Sequence, residues 1–436
     1  MRMNAATSPP LGLVAPFLVM APLGLLAAGL LLATTSADSL AGINAPRNVA
    51  ATHAAIIGGL TTAIMGAVYQ LGPAVLGGRL VSQRLARIQF GVHAVSVPAF
   101  VWSLLVWNVT FMSLAAVGVL TSFVLFLINA VPAVGMGRPA TVTRAYLSAA
   151  LVMLLITASF GLTWVGTLAH LWFPVTLGRL SGHAHMGLLG WLGLTVMGVS
   201  YQLVPMFNVV QTRRPSFAWA ALVATCASAL VGGLVLMTDP GRAVRLGVAA
   251  SMAFGPTFWG IDMVRLLVAR ARRSIDVQGR ATMLSLGFLG AAIVLGFVLA
   301  VGEPLQDADH GAKWQLAYGI CGIGGWAGIM LVGNSYKILS FLVWYHRYRV
   351  LAGRGRVPMI SDVYNDRHAT IVLGLYAGAL AVMAAGAGLA DLVLLRVGAV
   401  LLAGAATGHM VTFGHILFAP HSAAALRKPL GRGALS

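Results

Sequence analysis

Twelve stretches of this chain are each apolar for long enough to cross a bilayer, and they leave little sequence for anything else. They run roughly over 11–34, 51–76, 89–107, 109–135, 144–172, 183–210, 216–237, 243–269, 281–301, 314–343, 369–390 and 393–418. A helix needs about 20 apolar residues to span the hydrocarbon, where no water can satisfy an unpaired backbone group. With 59% hydrophobic and 9% charged residues and a mean hydropathy of +0.88, the 436 residues include too few polar side chains to cover a water-facing surface. An all-α integral membrane protein in contact with the lipid bilayer is expected. The third and fourth runs meet at Trp107-Asn108 without a polar loop, so they form either a tight hairpin or one wrongly divided stretch.

Charge sets an expected orientation. With the N-terminus inside, 21 Lys and Arg residues fall in the cytoplasmic connections and 6 in the outer ones, as the positive-inside rule requires. Both termini and the connection from Arg265 to Arg280 are then cytoplasmic, and the acidic segment Glu303 to Asp309 faces outward, in a membrane of the bacterial inner (plasma) type. The net charge of +18 follows from topology and contact with anionic lipid, so nucleic-acid binding need not be invoked. The first run is longer than a signal h-region and no convincing cleavage site follows it, so it reads as a retained helix. Cys226 and Cys321 lie inside the seventh and tenth runs and suggest neither a disulfide framework nor a Cys metal motif.

The runs repeat. An offset of 132 residues puts His53 opposite His185, Gly58 opposite Gly190, Tyr69-Gln70-Leu71 opposite Tyr201-Gln202-Leu203 and Pro73 opposite Pro205. A second offset of 135 puts Gly325-Trp326 opposite Gly190-Trp191 and Gly333-Asn334-Ser335-Tyr336 opposite Gly198-Val199-Ser200-Tyr201. Repeats at about 11–135, 144–269 and 281–418 thus carry four crossings each. The expectation is a single transmembrane domain of three pseudo-symmetric four-helix arcs, with the repeated motif on helices two, six and ten. Gly190, Gly193 and Gly198 are expected to let neighbouring backbones approach closely, as small residues do in membranes, and to leave room beside a flat ligand.

An imidazole buried in lipid is costly without a partner, and it ligates haem iron or copper through one ring nitrogen while the other holds a carbonyl. His53 and His185 occupy the same place in two repeats, and His170 and His183 lie at a similar depth. His183 and His185 are two apart, about 200° around a regular helix, so one faces the interior and the other a neighbouring helix. His93, His409 and His415 are further intramembrane candidates, whereas His310, His346 and His368 read as solvated. Tyr201 and Gln202, like Tyr69 and Gln70, could bond haem propionates or a quinone, or serve as interfacial anchors. Lys337 replaces the glutamine in the third repeat and reads as a snorkelling charge, and Asp262 is expected to pair with Arg265 one turn on.

In layout the chain resembles catalytic subunit I of the haem-copper oxidase superfamily, particularly its cbb3-type oxidase and nitric oxide reductase branches. The most specific stretch is His183-Ala184-His185-Met186-Gly187-Leu188-Leu189-Gly190-Trp191 running into Ser200-Tyr201-Gln202-Leu203-Val204-Pro205. The resemblance implies that His53 takes the place of an axial ligand of the low-spin haem, and that His185 or His183 takes the place of a non-haem metal ligand. The family's histidine pair on helix seven and its two haem ligands on helix ten have no counterparts here. Two expectations follow. One is a divergent protein binding haem b, copper or both near the outer face through His53, His170, His183 and His185, with His409 and His415 as further donors. It would be an oxidoreductase if an enzyme, working in electron transfer or in nitric oxide, oxygen or copper handling, with a cytochrome or small membrane subunit as partner. The other is a metal-free membrane scaffold or transporter for a small apolar solute or quinone.

Overall fold

The computed structural model describes residues 9–37, 42, 44–136, 138, 141–210, 216–271, 274–302, 308–351 and 357–418, with the side chains of 308–312 excepted. Among these residues there is no strand. Eleven helices are long and apolar enough to cross a membrane: α1 (Leu11–Ala33), α2 (Pro46–Val75), α3 (Gln83–Val106), α4 (Val109–Val134), α5 (Val142–His170), α6 (Leu177–Asn208), α7 (Ala218–Leu236), α9 (Val277–Val301), α10 (Lys313–Arg347), α11 (Asp366–Gly388) and α12 (Leu392–Phe418). Between them α8 (Arg242–Val268) has the same length but holds Arg242, Arg245, Asp262 and Arg265. The chain is therefore an all-helical integral membrane protein.

Local chemistry explains the helix ends that hydropathy misplaces. α2 starts at Pro46, which suits the first helical position, and α6 is capped by Thr176, whose hydroxyl accepts Arg179 N–H. Arg47, Asn48 and Arg179 conceal these first turns from an apolar-run reading. His53, His183 and His185 consequently lie well inside their helices and not at the start. The junction at Trp107-Asn108 is a tight hairpin: Trp107 ends α3 with φ 51° and Asn108 caps α4 by accepting Phe111 N–H. His346 and His368, read as solvated beside loops, lie in terminal turns of their helices and are half-buried. His346 sits in the last turn of α10, and His368 opens α11 under the Asn365 cap.

Consecutive helices pack on one another, and α12 returns to pack along α1, closing the bundle. α2, α6 and α10 are the most buried spans, and α10 touches both α2 and α6. Trp191 Nε1 of α6 also donates to Thr61 Oγ1 of α2 over 2.9 Å. Each of the three inner helices leans on the one-numbered-lower helix through equivalent glycines. A Cβ added at Gly66 would press on Phe17 of α1; at Gly198 it would overlap Tyr146 of α5, and at Gly333 it would overlap Ala281 of α9. At Gly190 and Gly193 the neighbours are the Met153 and Trp326 side chains, so these glycines seat side chains and not backbones as first expected.

Each inner helix also contains a stretch of wider π-type winding at the same point: Ala54–Thr61, Met186–Gly193 and Ile320–Gly328. A fourth, Ser228–Gly232, lies in α7. Such windings are uncommon and cluster at functional sites.

One end of the bundle, the basic end, gathers Arg79, Arg138, Arg144, Arg265, Arg280, Arg347 and Arg367. There Arg138 and Arg144 donate to Gly77 O and Leu76 O, tying α4 and α5 to the end of α2. At the opposite end Arg396 holds Thr35 O and Arg245 holds Gly302 O. Lys337 does not snorkel. It is 6% exposed and pairs with Asp276, itself 8% exposed, at 2.8 Å, because the α9 cap brings a carboxylate to it. Asp262 meets Arg265 only at 4.0 Å, and its closer partners are Tyr201 Oη and the Ser216 and Phe217 amides that open α7. The acidic residues of 303–307, His421 and the His310 side chain lie outside the described residues.

Candidate functional site

The three wide windings surround a cavity of about 680 Å³ in the half of the bundle opposite the basic end. Its wall is mostly aliphatic and aromatic, including Phe100, Phe123, Trp164, Trp191 and Trp326. Asn44, Asn48, Arg245 and Gln315 contribute polar groups where α2, α8 and α10 begin. An apolar chamber with a few placed polar groups is the usual form of a small-molecule or cofactor site.

His53, His183 and His185 all line this cavity. His53 Nδ1 donates to Val49 O over 2.8 Å, since a carbonyl can only accept. That bond fixes the tautomer and leaves Nε2 as an acceptor. The ring stands edge-on to Phe100 at 5.5 Å. His185 repeats the arrangement one helix away: Nδ1 donates to Ser181 O over 2.8 Å, and Nε2 accepts from Tyr318 Oη at 3.0 Å. His183 turns toward α5, where Gly161 leaves it room; a Cβ there would lie 3.3 Å from its Cε1. The pair therefore splits, His183 toward α5 and His185 toward α10, on different sides of α6, and both line the chamber.

Tyr318 was not picked out as a site residue. The signal was present in the repeat, since the offset of 135 puts Tyr318 opposite His183 and Ile320 opposite His185, so the third repeat carries a tyrosine where the second carries an imidazole.

The remaining candidates lie elsewhere. His170 ends α5 and stacks on Trp172 with ring centroids 5.5 Å apart. His409 is buried between α10 and α12, edge-on to Tyr336 at 4.8 Å and next to Phe413. His415 is exposed on α12. Tyr201 and Gln202 sit toward the basic end, beyond the cavity lining, where Tyr201 Oη donates to Asp262 at 3.2 Å. These residues are not brought together with His53, His183 and His185.

His93 belongs to a closed polar network. Thr62 spends its hydrogen on Ile57 O, so His93 Nε2–H donates to Thr62 Oγ1 at 2.9 Å and Nδ1 accepts from Ser122 Oγ, also at 2.9 Å. Ser122 accepts in turn from Gln89, which accepts from Tyr69 Oη. With both ring nitrogens occupied, His93 holds α2, α3 and α4 together and has no lone pair left for a metal. Among the described residues no three His, Cys, Asp or Glu side chains converge as a metal-binding group.

The fold and cavity define a polytopic helical membrane protein with an imidazole-bearing apolar chamber. No protein-family model matches the chain, and no curated protein matches it either.

Proposed function

We propose that the chain is a divergent haem-copper oxidase subunit I-like protein that holds haem b in the chamber opposite its basic end and works in electron transfer or in nitric oxide or oxygen handling. The observation that carries this reading is His53: its Nδ1 is committed to Val49 O, so the lone pair of Nε2 is free on a residue that lines an apolar cavity of cofactor size. His53 would hold the iron through Nε2. The chamber's aliphatic and aromatic walls would hold the macrocycle, and Arg245, Asn48 and Gln315 at its polar end suit the propionates. Haem so bound would supply a one-electron couple, tuned by its ligand and by the dry surroundings.

Copper fits this donor set less well. His185 Nε2 already accepts from Tyr318, and His183 lines the chamber from the other side of α6, against Gly161. The equivalent glycine contacts of α2, α6 and α10 and the closure of α12 on α1 support three pseudo-symmetric arcs. The arginine distribution supports a bacterial inner membrane with both termini cytoplasmic, and a cytochrome or small membrane subunit would be the electron partner.

Protein purified from its native host tests the reading. The expected result is a b-type Soret band that His53→Ala abolishes and His170→Ala leaves in place. Colourless protein from a haem-replete host would sink it and favour the second reading, a metal-free transporter or scaffold for a small apolar solute or quinone. The mostly apolar lining supports that alternative.

A further inference from the structure

The tyrosines Tyr69, Tyr201 and Tyr336 occupy equivalent places on the three inner helices, yet their hydroxyls are treated differently. Tyr69 donates to Gln89 and Tyr201 to Asp262. Tyr336, fully buried on α10, has no hydrogen-bond partner among the described residues. Thr412 lies beside it, but its hydroxyl already donates to Gly408 O and accepts from His368 Nδ1.

Two more buried polar atoms near this point are likewise without a partner among the described residues: His409 Nδ1 and Ser340 Oγ. The His409 ring is 4.8 Å from that of Tyr336, and Ser340 is one helical turn further along the same face of α10. Their hydrogen-bonding senses are complementary. Ser335 donates to Val332 O, so His409 Nε2–H donates to Ser335 Oγ at 3.4 Å and Nδ1 is left as an acceptor. Tyr336 offers a donor, and Ser340 can act as either. Orphaned buried polar groups are rare, and a buried water commonly satisfies about three of them at once.

We propose that Tyr336, His409 and Ser340 bind internal water between α10 and α12, and that this water places the His409 imidazole within reach of protons from the basic end. In the third repeat, water would stand where Gln89 and Asp262 serve the first two. The route outward is short: Thr412 Oγ1 accepts from His368 Nδ1 at 3.1 Å, and His368 is half-buried in the first turn of α11. The titratable groups around His409 are Tyr336 on α10 and, through Thr412, His368 on α11. The Leu11–Ala33 sequence of α1, packed along α12, contributes none. This site is separate from the outer chamber and does not depend on what that chamber holds.

Radiolytic hydroxyl-radical footprinting of the full-length protein in lipid nanodiscs tests the proposal, because radicals formed from bound water label the side chains beside it. Tyr336 should be oxidised several-fold faster than Tyr69 and Tyr201, which are similarly buried but bonded to protein. His409→Leu, which removes the acceptor, should reduce Tyr336 labelling to the level of those two. Equal labelling of all three tyrosines in the unmodified protein would overturn the proposal, as would unchanged Tyr336 labelling in His409→Leu. Should that variant fail to fold, a density map that resolves waters decides: a peak within hydrogen-bonding distance of both Tyr336 Oη and His409 Nδ1 supports the site. Ordered side chains with no such peak, or a direct bond from Tyr336 to protein, would refute it.

Discussion

His53 and His93 are both imidazoles inside the bundle, and the bonds on their ring nitrogens separate their roles. His53 has one nitrogen free on a cavity-lining ring, whereas both nitrogens of His93 are engaged. His93→Phe would leave Thr62 and Ser122 with unmet bonds and should cost about 1–3 kcal/mol, read as a lower melting temperature with any bound chromophore unchanged. His53→Ala should do the reverse, stripping the chromophore with a smaller loss of stability. The pair Lys337–Asp276 gives a second comparison. Lys337→Met strands a buried carboxylate and should cost about 3–5 kcal/mol, while Lys337→Met with Asp276→Asn should recover part of that loss in the same melting experiment. The free His53 was legible in the sequence because the repeat singled it out. The Lys337 ion pair was not, because hydropathy cannot tell a lysine that reaches for the interface from one met by a carboxylate on another helix.

Helix existence was legible for the same reason the chain enters a membrane: apolar runs of spanning length have few alternatives. Helix starts were less so. Arg47 and Arg179 lie inside first turns fixed by Pro46 and the Thr176 cap, and a hydropathy reading stops short of both. The wide windings at Ala54–Thr61, Met186–Gly193 and Ile320–Gly328 leave no mark in composition, since they depend on how α2, α6 and α10 pack around the cavity. The glycines at Gly66, Gly198 and Gly333 were visible as a repeated motif, but only packing shows that each receives part of a neighbouring helix. Gly198→Val should therefore force Tyr146 aside and destabilise the protein by about 1–3 kcal/mol, whereas Gly287→Val, at an open position on α9, should be nearly neutral. Similar melting temperatures for the two variants would mean that α5 and α6 are not held at that contact.

At the scale of the whole molecule, α12 packed along α1 makes the twelve helices a closed set, with the arginine-rich connections at one end and the His53 chamber toward the other. In a cysteine-free background, Arg242→Cys should react with an impermeant maleimide in intact cells, and Arg84→Cys should react only after permeabilisation. The opposite pattern would invert the orientation drawn from charge. Each wide winding also sets a phase between the two halves of its helix. In α2 the half bearing Tyr69 keys into the α3 network, while the half bearing His53 must meet the chamber. Deleting one residue from Ala54–Thr61 and restoring ordinary winding would leave the two halves in phase, but ordinary winding with all eight residues kept would turn His53 by about 100° around the axis relative to Tyr69. The chain would keep every donor and every span, yet the imidazole would face a neighbouring helix or the lipid. In this architecture, access to the chamber is thus a matter of angular timing along three rods, and rewinding one stretch would disconnect it without changing any residue that lines it.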